Sequence, residues 1–309
     1  MKQLLLLLMM FVPFFGSGSG LEANDDTVIH DPDLASETVQ LNSGWDMPVI
    51  GIDLSALTPV QAEVISYQAL TEGFRLLDIA GAAVNEEAVG RGIARAIEEG
   101  RLTREEIFIC AEIRLEEAED LEEAGDAAIQ QSLTRLGLDY IDLMVVSQSR
   151  FDLDLAACQA LQRAVEAGTV HSIGFSGFGE SRNFDLIVEQ SGIIPAVLRL
   201  ETHPYRQNLD MKQHLTQYGT VIAAKDPFGG GDRQVLFADP AVSIPAAGYE
   251  STSEQIILHW QRQSGNIAIP AAIDEFQLEE YFDIGDFELN EAEMAGIDAL
   301  DRGLMFIYY

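Results

Sequence analysis

Short apolar runs alternate with amphipathic stretches along most of the chain. Runs of about four to six apolar residues are typical of parallel strands buried on both faces. Eight such runs lie at 49–52, 76–80, 107–111, 141–146, 172–176, 197–201, 221–224 and 267–270. Between them apolar residues recur at helical spacing, as in 86–99, where Val89, Ile93 and Ile97 share one face, and in 126–136. The pattern predicts strands and helices in strict alternation.

Eight strand–helix repeats within about 260 residues are typical of an α/β fold of the (β/α)8 TIM-barrel type. A doubly wound sheet would also alternate, but eight units in this length favour closure into a barrel. No linker interrupts the pattern, so we predict one domain over 45–309. The carboxyl ends of the strands, where such barrels carry their chemistry, include Asp53, Asp78, Glu112, Ser147, Ser176, Glu201 and Lys225.

The amino terminus has the layout of a secretory signal peptide. Lys2 precedes a short apolar run over 4–15, and small residues follow over 16–20. The run is too short to span a bilayer comfortably. We therefore predict a signal peptide over 1–20, an acidic disordered leader over 21–44, and a secreted or endomembrane-lumen protein. An uncleaved membrane anchor is the alternative.

The charge of the chain excludes some partners. With 18 basic and 51 acidic residues, the net charge is −33. Such a chain repels phosphate backbones and anionic lipids, so we expect no nucleic-acid partner. After the first segment, no apolar stretch reaches membrane-spanning length. A small molecule or another protein is the expected partner.

Several ordered motifs resemble those of the aldo-keto reductases. The segments 73–80, with Asn85-Glu86 and Val89-Gly90, and 136–143 are similar to the two signatures of that family. Further matching blocks follow in the family's order at 173–178, 203–205, 287–289 and 297–301. The similarity covers about residues 45 to 303. It implies a (β/α)8 barrel that reduces carbonyls with NADPH.

The resemblance also implies an Asp, Tyr, Lys and His at the barrel mouth. Tyr is the general acid, Lys lowers its pKa, Asp holds the Lys, and His orients the carbonyl. Here Asp78 is kept, but Ala83, Glu112 and Ser147 stand at the other three positions. Loss of the proton donor alone should cost about 10²–10⁴ in rate. A carboxylate beside a developing alkoxide is unfavourable as well.

The cofactor positions implied by the resemblance are altered too. Ser176, Arg199 and Lys225 fall where the family holds the nicotinamide end, Arg199 replacing a Gln and Lys225 the stacking Tyr. Asp226 replaces a Ser, and Asp53 a Gly that makes room for the dinucleotide. Ala271-Ala272 and Gln277 replace the residues that clamp the 2′-phosphate. Charge-assisted contacts contribute about 1.5–3 kcal/mol each, so we expect NADP(H) binding to be weakened.

Asp53, Asp78 and Glu112 are predicted to meet at neighbouring strand ends. Clustered carboxylates repel one another unless they are protonated or joined by a cation. A Ca²⁺ or Mg²⁺ site is one interpretation, and paired carboxylates in acid–base chemistry are a second. In a third, Lys225 and Arg199 neutralise them in an ion network. His171 and His203 are interpreted as ordinary barrel or loop residues.

Three functions remain open from the sequence. The leading one is a pseudoenzyme of the aldo-keto reductase type with a binding or regulatory role. The second is an active NAD(P)H-dependent oxidoreductase of small carbonyl compounds that uses a non-standard site, with Lys225 or Asp78 transferring the proton. The third is a metal-dependent enzyme at the acidic mouth.

Overall fold

Eight parallel strands follow one another around a barrel in chain order. The computed structural model describes residues 37–79, 83–230, 233–285 and 287–305. The barrel strands are β3 Ile52–Asp53, β4 Leu76–Asp78, β5 Phe108–Ile113, β6 Ile141–Ser147, β7 Val170–Ser176, β8 Val197–Glu201, β9 Val221–Lys225 and β10 Ile267–Ile269. Hydrogen bonds of 2.9 Å from Gly51 N to Ala268 O and from Asp53 N to Pro270 O join the first strand to the last. The predicted (β/α)8 fold is confirmed, and each strand overlaps its predicted run.

Helices pack around the outside of the barrel. They are α1 Pro59–Glu72, α2 Glu86–Glu98, α3 Leu121–Leu136, α4 Phe151–Ala167, α5 Ser181–Ser191, α6 Leu209–Leu215, α7 Arg233–Phe237, α8 Pro240–Tyr249, α9 Ser253–Gln263, α10 Glu275–Phe282 and α11 Glu291–Asp298. The helical pattern over 126–136 lies within α3, which begins five residues earlier, at Leu121. Asp120 caps the helix earlier, since its Oδ1 accepts from the amides of Glu122 (3.0 Å) and Glu123 (3.1 Å). Acidic side chains in a first turn are also favourable near the positive end of the helix dipole.

A hairpin closes the amino-terminal end of the barrel. Strands β1 Thr38–Gln40 and β2 Asp46–Pro48 pair antiparallel, and Ser43 Oγ lies 2.8 Å from Ser172 Oγ near the start of β7. The predicted boundary at residue 45 was therefore wrong, because 38–40 belong to the folded domain. Two buried residues, Leu41 and Met47, hold this hairpin against the barrel. They lie in or next to the acidic segment, whose polar composition did not indicate a folded element.

Two apolar clusters fill the domain. One lies inside the barrel toward its amino-terminal end, where Leu41 and Met47 of the hairpin meet Leu76, Leu143 and Val197. The larger one lies between the strands and the surrounding helices. Both cysteines are free and buried. In the described residues no helix combines the length and the apolar character needed to cross a bilayer. The predicted signal peptide lies outside the described residues.

Candidate binding site at the barrel mouth

The residues singled out from the sequence lie at the carboxyl ends of the barrel strands. Asp53 and Asp78 are paired in register at the ends of β3 and β4. Ser147 is paired with Ser176, and Ser176 with Arg199. Glu112 lies near the end of β5, and Lys225 ends β9. Parallel strands end at the same rim, so seven side chains from seven strands are gathered at one mouth.

Arg199 lies at the centre of this group as a buried cation. Its Nε is 2.7 Å from Asp78 Oδ2, with side-chain exposures of 1% and 0%. Its Nη1 is 3.5 Å from Glu112 Oε2. The cation predicted to neutralise the carboxylates is therefore Arg199. Lys225, the other cation considered, makes no ion pair within the described part of the chain.

The carboxylates keep Arg199 charged. Burial by itself would lower the pKa of the guanidinium, but Asp78, Asp53 and Glu112 outweigh it and raise the pKa. Cys110, paired in register with Asp78, has a pKa raised well above its usual value by burial and by the Asp78 charge. Its thiol stays neutral and is a poor nucleophile.

The predicted calcium or magnesium site is not supported by this geometry. Asp53, Asp78 and Glu112 are all described, yet they do not bring three ligand oxygens within 4.8 Å of one another. The guanidinium of Arg199 contacts the second and third carboxylates. Asp53 Oδ1 instead accepts from the Ser55 amide at 2.7 Å. A side-chain cation therefore already supplies the charge that a metal would have provided.

A buried glutamate–histidine pair lies beside the mouth and was missed from the sequence. Glu201 Oε1 is 2.9 Å from His203 Nε2, and both side chains are fully buried. Asn208 Nδ2 donates to the Glu201 carbonyl at 2.8 Å. His203 was interpreted from the sequence as an ordinary barrel or loop residue. Its carboxylate partner, Glu201, was not identified. Strand alternation puts residues i and i+2 on one face, which was the available signal.

Residues at the cofactor positions do not reproduce a phosphate clamp. Where the resemblance implies a Lys-Ser pair, Ala272 is buried and Ala271 cannot donate a side-chain hydrogen bond. Gln277, at the implied Arg position, uses its Oε1 to accept from the Ile273 amide at 2.9 Å. An alanine offers a phosphate no side-chain donor, so these residues do not fit the 2′-phosphate of NADP(H).

Asp226 adds a carboxylate to the loop after β9. Its backbone has a φ of 51°. This left-handed conformation is unusual for a residue other than glycine. Burial raises the pKa of its carboxyl, and the nearby Glu201 and Asp53 charges act in the same direction, against His203. A carboxylate at this point opposes an anionic ligand in the loop.

An arginine-lined cavity opens on the other side of the mouth. Its volume is about 760 Å³, and its wall includes Arg114, Arg150 and Arg206. This cavity was not predicted from the sequence. The three residues follow different strands and lie beyond the strand-end positions that were inspected, so only the fold brings them together.

The parallel eight-stranded barrel with its charged mouth places the protein in the TIM-barrel class, and the comparisons with known proteins specify the family. Residues 38–302 match the model of the aldo/keto reductase family, to which the chain therefore belongs. An aldo-keto reductase of Mycobacterium sp. (strain KMS) is 33% identical over 272 residues, covering 87% of this chain and 95% of the relative. The NAD(P)H-dependent D-xylose reductase I,II of Candida tropicalis is 30% identical, with coverages of 87% and 94%.

Solved structures show the same architecture. An aldo/keto reductase from Brucella melitensis superposes with a TM-score of 0.76 at 30% identity, covering 86% of this chain and 99% of that one. A Bombyx mori aldo-keto reductase in complex with NADP has a TM-score of 0.79 at 28% identity, with coverages of 88% and 95%. Family membership thus implies NADP(H), whereas the residues described above depart from the groove that holds it.

Proposed function

We propose that this protein is a member of the aldo-keto reductase family that has lost the family's carbonyl-reducing chemistry and acts as a binding or regulatory protein through its barrel mouth. The observation that carries the proposal is the buried ion cluster of Asp78, Arg199 and Glu112. By the family resemblance, Asp78 and Glu112 stand at the positions of the family's Asp and Lys, and Arg199 at that of a Gln.

The cluster is unsuited to give a proton to a carbonyl. An ionised carboxylate only accepts hydrogen bonds, and a guanidinium does not deprotonate in proteins. Asp78, the one retained residue, lies against Arg199 and is fully buried. Ser147 has a hydroxyl, but a serine is not a proton donor of the strength of a lysine-activated tyrosine. The inherited steps therefore lack a general acid.

A second candidate function is supported by Lys225. This side chain ends β9 at the mouth, is half-buried, and makes no ion pair with a described residue. A free ammonium can donate a proton. The names of the relatives also describe dehydrogenases and reductases. An oxidoreductase with Lys225 as proton donor is the alternative.

Cofactor binding and turnover distinguish the two candidates. We would titrate the purified chain with NADPH and NADH by calorimetry, because Trp45 lies at the opposite end of the barrel and Trp260 is buried in α9, so neither reports on the mouth. NADPH oxidation would then be followed with a panel of small aldehydes and ketones. The proposal expects no turnover above the uncatalysed rate and no cofactor binding below millimolar concentration.

Two variants test which residues are responsible for the presence or absence of carbonyl reduction. In the first, Ala83→Tyr, Glu112→Lys, Ser147→His and Arg199→Gln together restore the family's residues, and reductase activity gained there would assign the loss to these positions. In the second, Lys225→Met tests the alternative. Carbonyl reduction by the unaltered chain that is lost in Lys225→Met would overturn the proposal and establish the oxidoreductase.

A further inference from the structure

The cavity of about 760 Å³ at the mouth is rich in basic residues, whereas the chain as a whole is acidic. It lies beyond the carboxyl ends of β5 to β8. Its wall includes the guanidinium groups of Arg114, Arg150 and Arg206. Three of the 18 basic residues of the chain therefore line one cavity, in a protein that carries 51 acidic residues.

The carboxylates of the wall do not account for these arginines. Glu201 is fully buried and contacts His203 at 2.9 Å. Glu180 is exposed at the start of α5 and forms no ion pair with a described arginine. The wall thus carries three guanidinium groups and two carboxylates, although the whole chain has a net charge of −33.

Two of the three arginines keep unused donors. Arg150 is engaged outside the cavity by Glu117 and Asp152. Arg206 donates from Nη1 to the Gly303 carbonyl at 3.4 Å, and Arg114 forms no ion pair or side-chain hydrogen bond within the described part of the chain. A guanidinium has five N–H donors, so most of the donors of these two side chains remain available.

We propose that this cavity binds a small organic anion, whose carboxylate or phosphate group is held by Arg114 and Arg206. The planar fork of a guanidinium matches both groups and forms paired, charge-assisted hydrogen bonds with them. Gln148 and Asn183 offer neutral polar contacts, and Leu200 and Met305 an apolar wall, for the rest of the molecule. The inference deepens the proposed function, on which it rests for the mouth as the binding site, by naming the class of ligand.

Calorimetric titration without cofactor tests this ligand class. The probes are succinate and glycerol 3-phosphate, each with its uncharged counterpart, succinamide and glycerol. We expect one anion or both to bind with micromolar to low-millimolar affinity, the counterparts to bind at least about tenfold more weakly, and the affinity for the anion to fall as salt is raised. Comparison of the two anions distinguishes a carboxylate ligand from a phosphate ligand.

Matched variants assign the binding to the two arginines. Arg114→Gln and Arg206→Gln should each weaken anion binding about tenfold or more. Arg91→Gln is the control, because it removes the same charge from an exposed pair with Glu63 on the outer helices, and it should bind like the unaltered chain. Arg114 is exposed and forms no ion pair or side-chain hydrogen bond with a described residue, so its variant is expected to fold normally.

Three results would overturn the inference. The first is the absence of binding by both anions at 10 mM. The second is equal binding of the neutral counterparts, and the third is equal affinity of Arg114→Gln and Arg91→Gln for the anion. None of them bears on NADPH oxidation. Failure of the anion site is thus distinguishable from failure of the proposed function, which the turnover assay measures.

Discussion

The two ends of the barrel each bury an arginine–aspartate pair, but they satisfy the charges differently. At the amino-terminal end, Arg104 Nη2 lies 2.7 Å from Asp142 Oδ2, with side-chain exposures of 14% and 12%. The same Oδ2 accepts from the Ile109 amide at 2.9 Å, and Arg104 also donates to the carbonyls of Ile107 and Tyr140. At the carboxyl end, the guanidinium of Arg199 contacts both Asp78 and Glu112 and is almost fully buried.

The difference separates a structural end from a functional one. Around Arg104, backbone groups and a stack of rings share the charge: its guanidinium lies over Tyr140, Tyr140 stacks on His171, and His171 on Trp45. Around Arg199, charge is balanced by charge, and carboxylates are in excess. Loss of one cation therefore matters more at the mouth.

The largest expected effect is on removal of the mouth cation. Arg199→Met should lower the free energy of unfolding by about 3–5 kcal/mol, because the buried Asp78 loses the guanidinium that balances its charge. Urea unfolding followed by circular dichroism measures it. The double variant Arg199→Met with Asp78→Asn should recover part of the loss, since the uncompensated charge is gone. A loss below about 1 kcal/mol for the single variant would contradict a buried ion cluster.

A smaller effect is expected at the amino-terminal end. Arg104→Met should cost about 1.5–3 kcal/mol, the value of hydrogen bonds to a charged group, because Asp142 keeps the Ile109 amide and some solvent contact. The same urea experiment gives the comparison. If Arg104→Met proved more destabilising than Arg199→Met, the contrast between the two ends would be wrong.

The smallest effect concerns pH. Burial lowers the pKa of His171 below its usual 6.5; Asp142 opposes this shift, and Arg104 adds to it. As pH falls through 6.5, the unfolded chain takes up this proton before the folded one. The contribution of neutral His171 to the free energy of unfolding is therefore complete above about pH 6.5. It is lost as the pH falls toward the lower pKa of the folded state.

The variant His171→Phe isolates this contribution. It keeps a ring between Trp45 and Tyr140 but removes the titrating group. Between pH 7.5 and 5.5, its loss of unfolding free energy should be smaller than that of the unaltered chain. The remaining dependence includes His259, whose pKa burial also lowers. Identical losses in the two proteins would contradict a neutral, half-buried His171.

The strand positions could be predicted because burial on both faces leaves continuous apolar runs, such as 141–146. The rim positions followed, because parallel strands end together. Element starts were less predictable. The start of α3 depended on the Asp120 cap within an acidic run, and β1 on Leu41 and Met47 within a polar segment.

The partners of the mouth residues could not be predicted with the same success. The sequence placed Asp53, Asp78 and Glu112 together but left a metal, acid–base chemistry and neutralisation by Lys225 and Arg199 all open. The choice of Arg199 depends on how a long side chain crosses the barrel from β8. The pairing of Glu201 with His203, although close in sequence, became evident only once both proved buried.

The sequence by itself determined the order of the strands, the rim at which the mouth residues lie, and the acidic net charge, since each depends on residue type and on spacing along the chain. Only the tertiary structure decided which charges meet. Arg199 neutralises Asp78, and Arg114 and Arg206 share a cavity although 92 positions separate them. Contacts between residues far apart in sequence are set by barrel closure and side-chain reach, which no local pattern encodes.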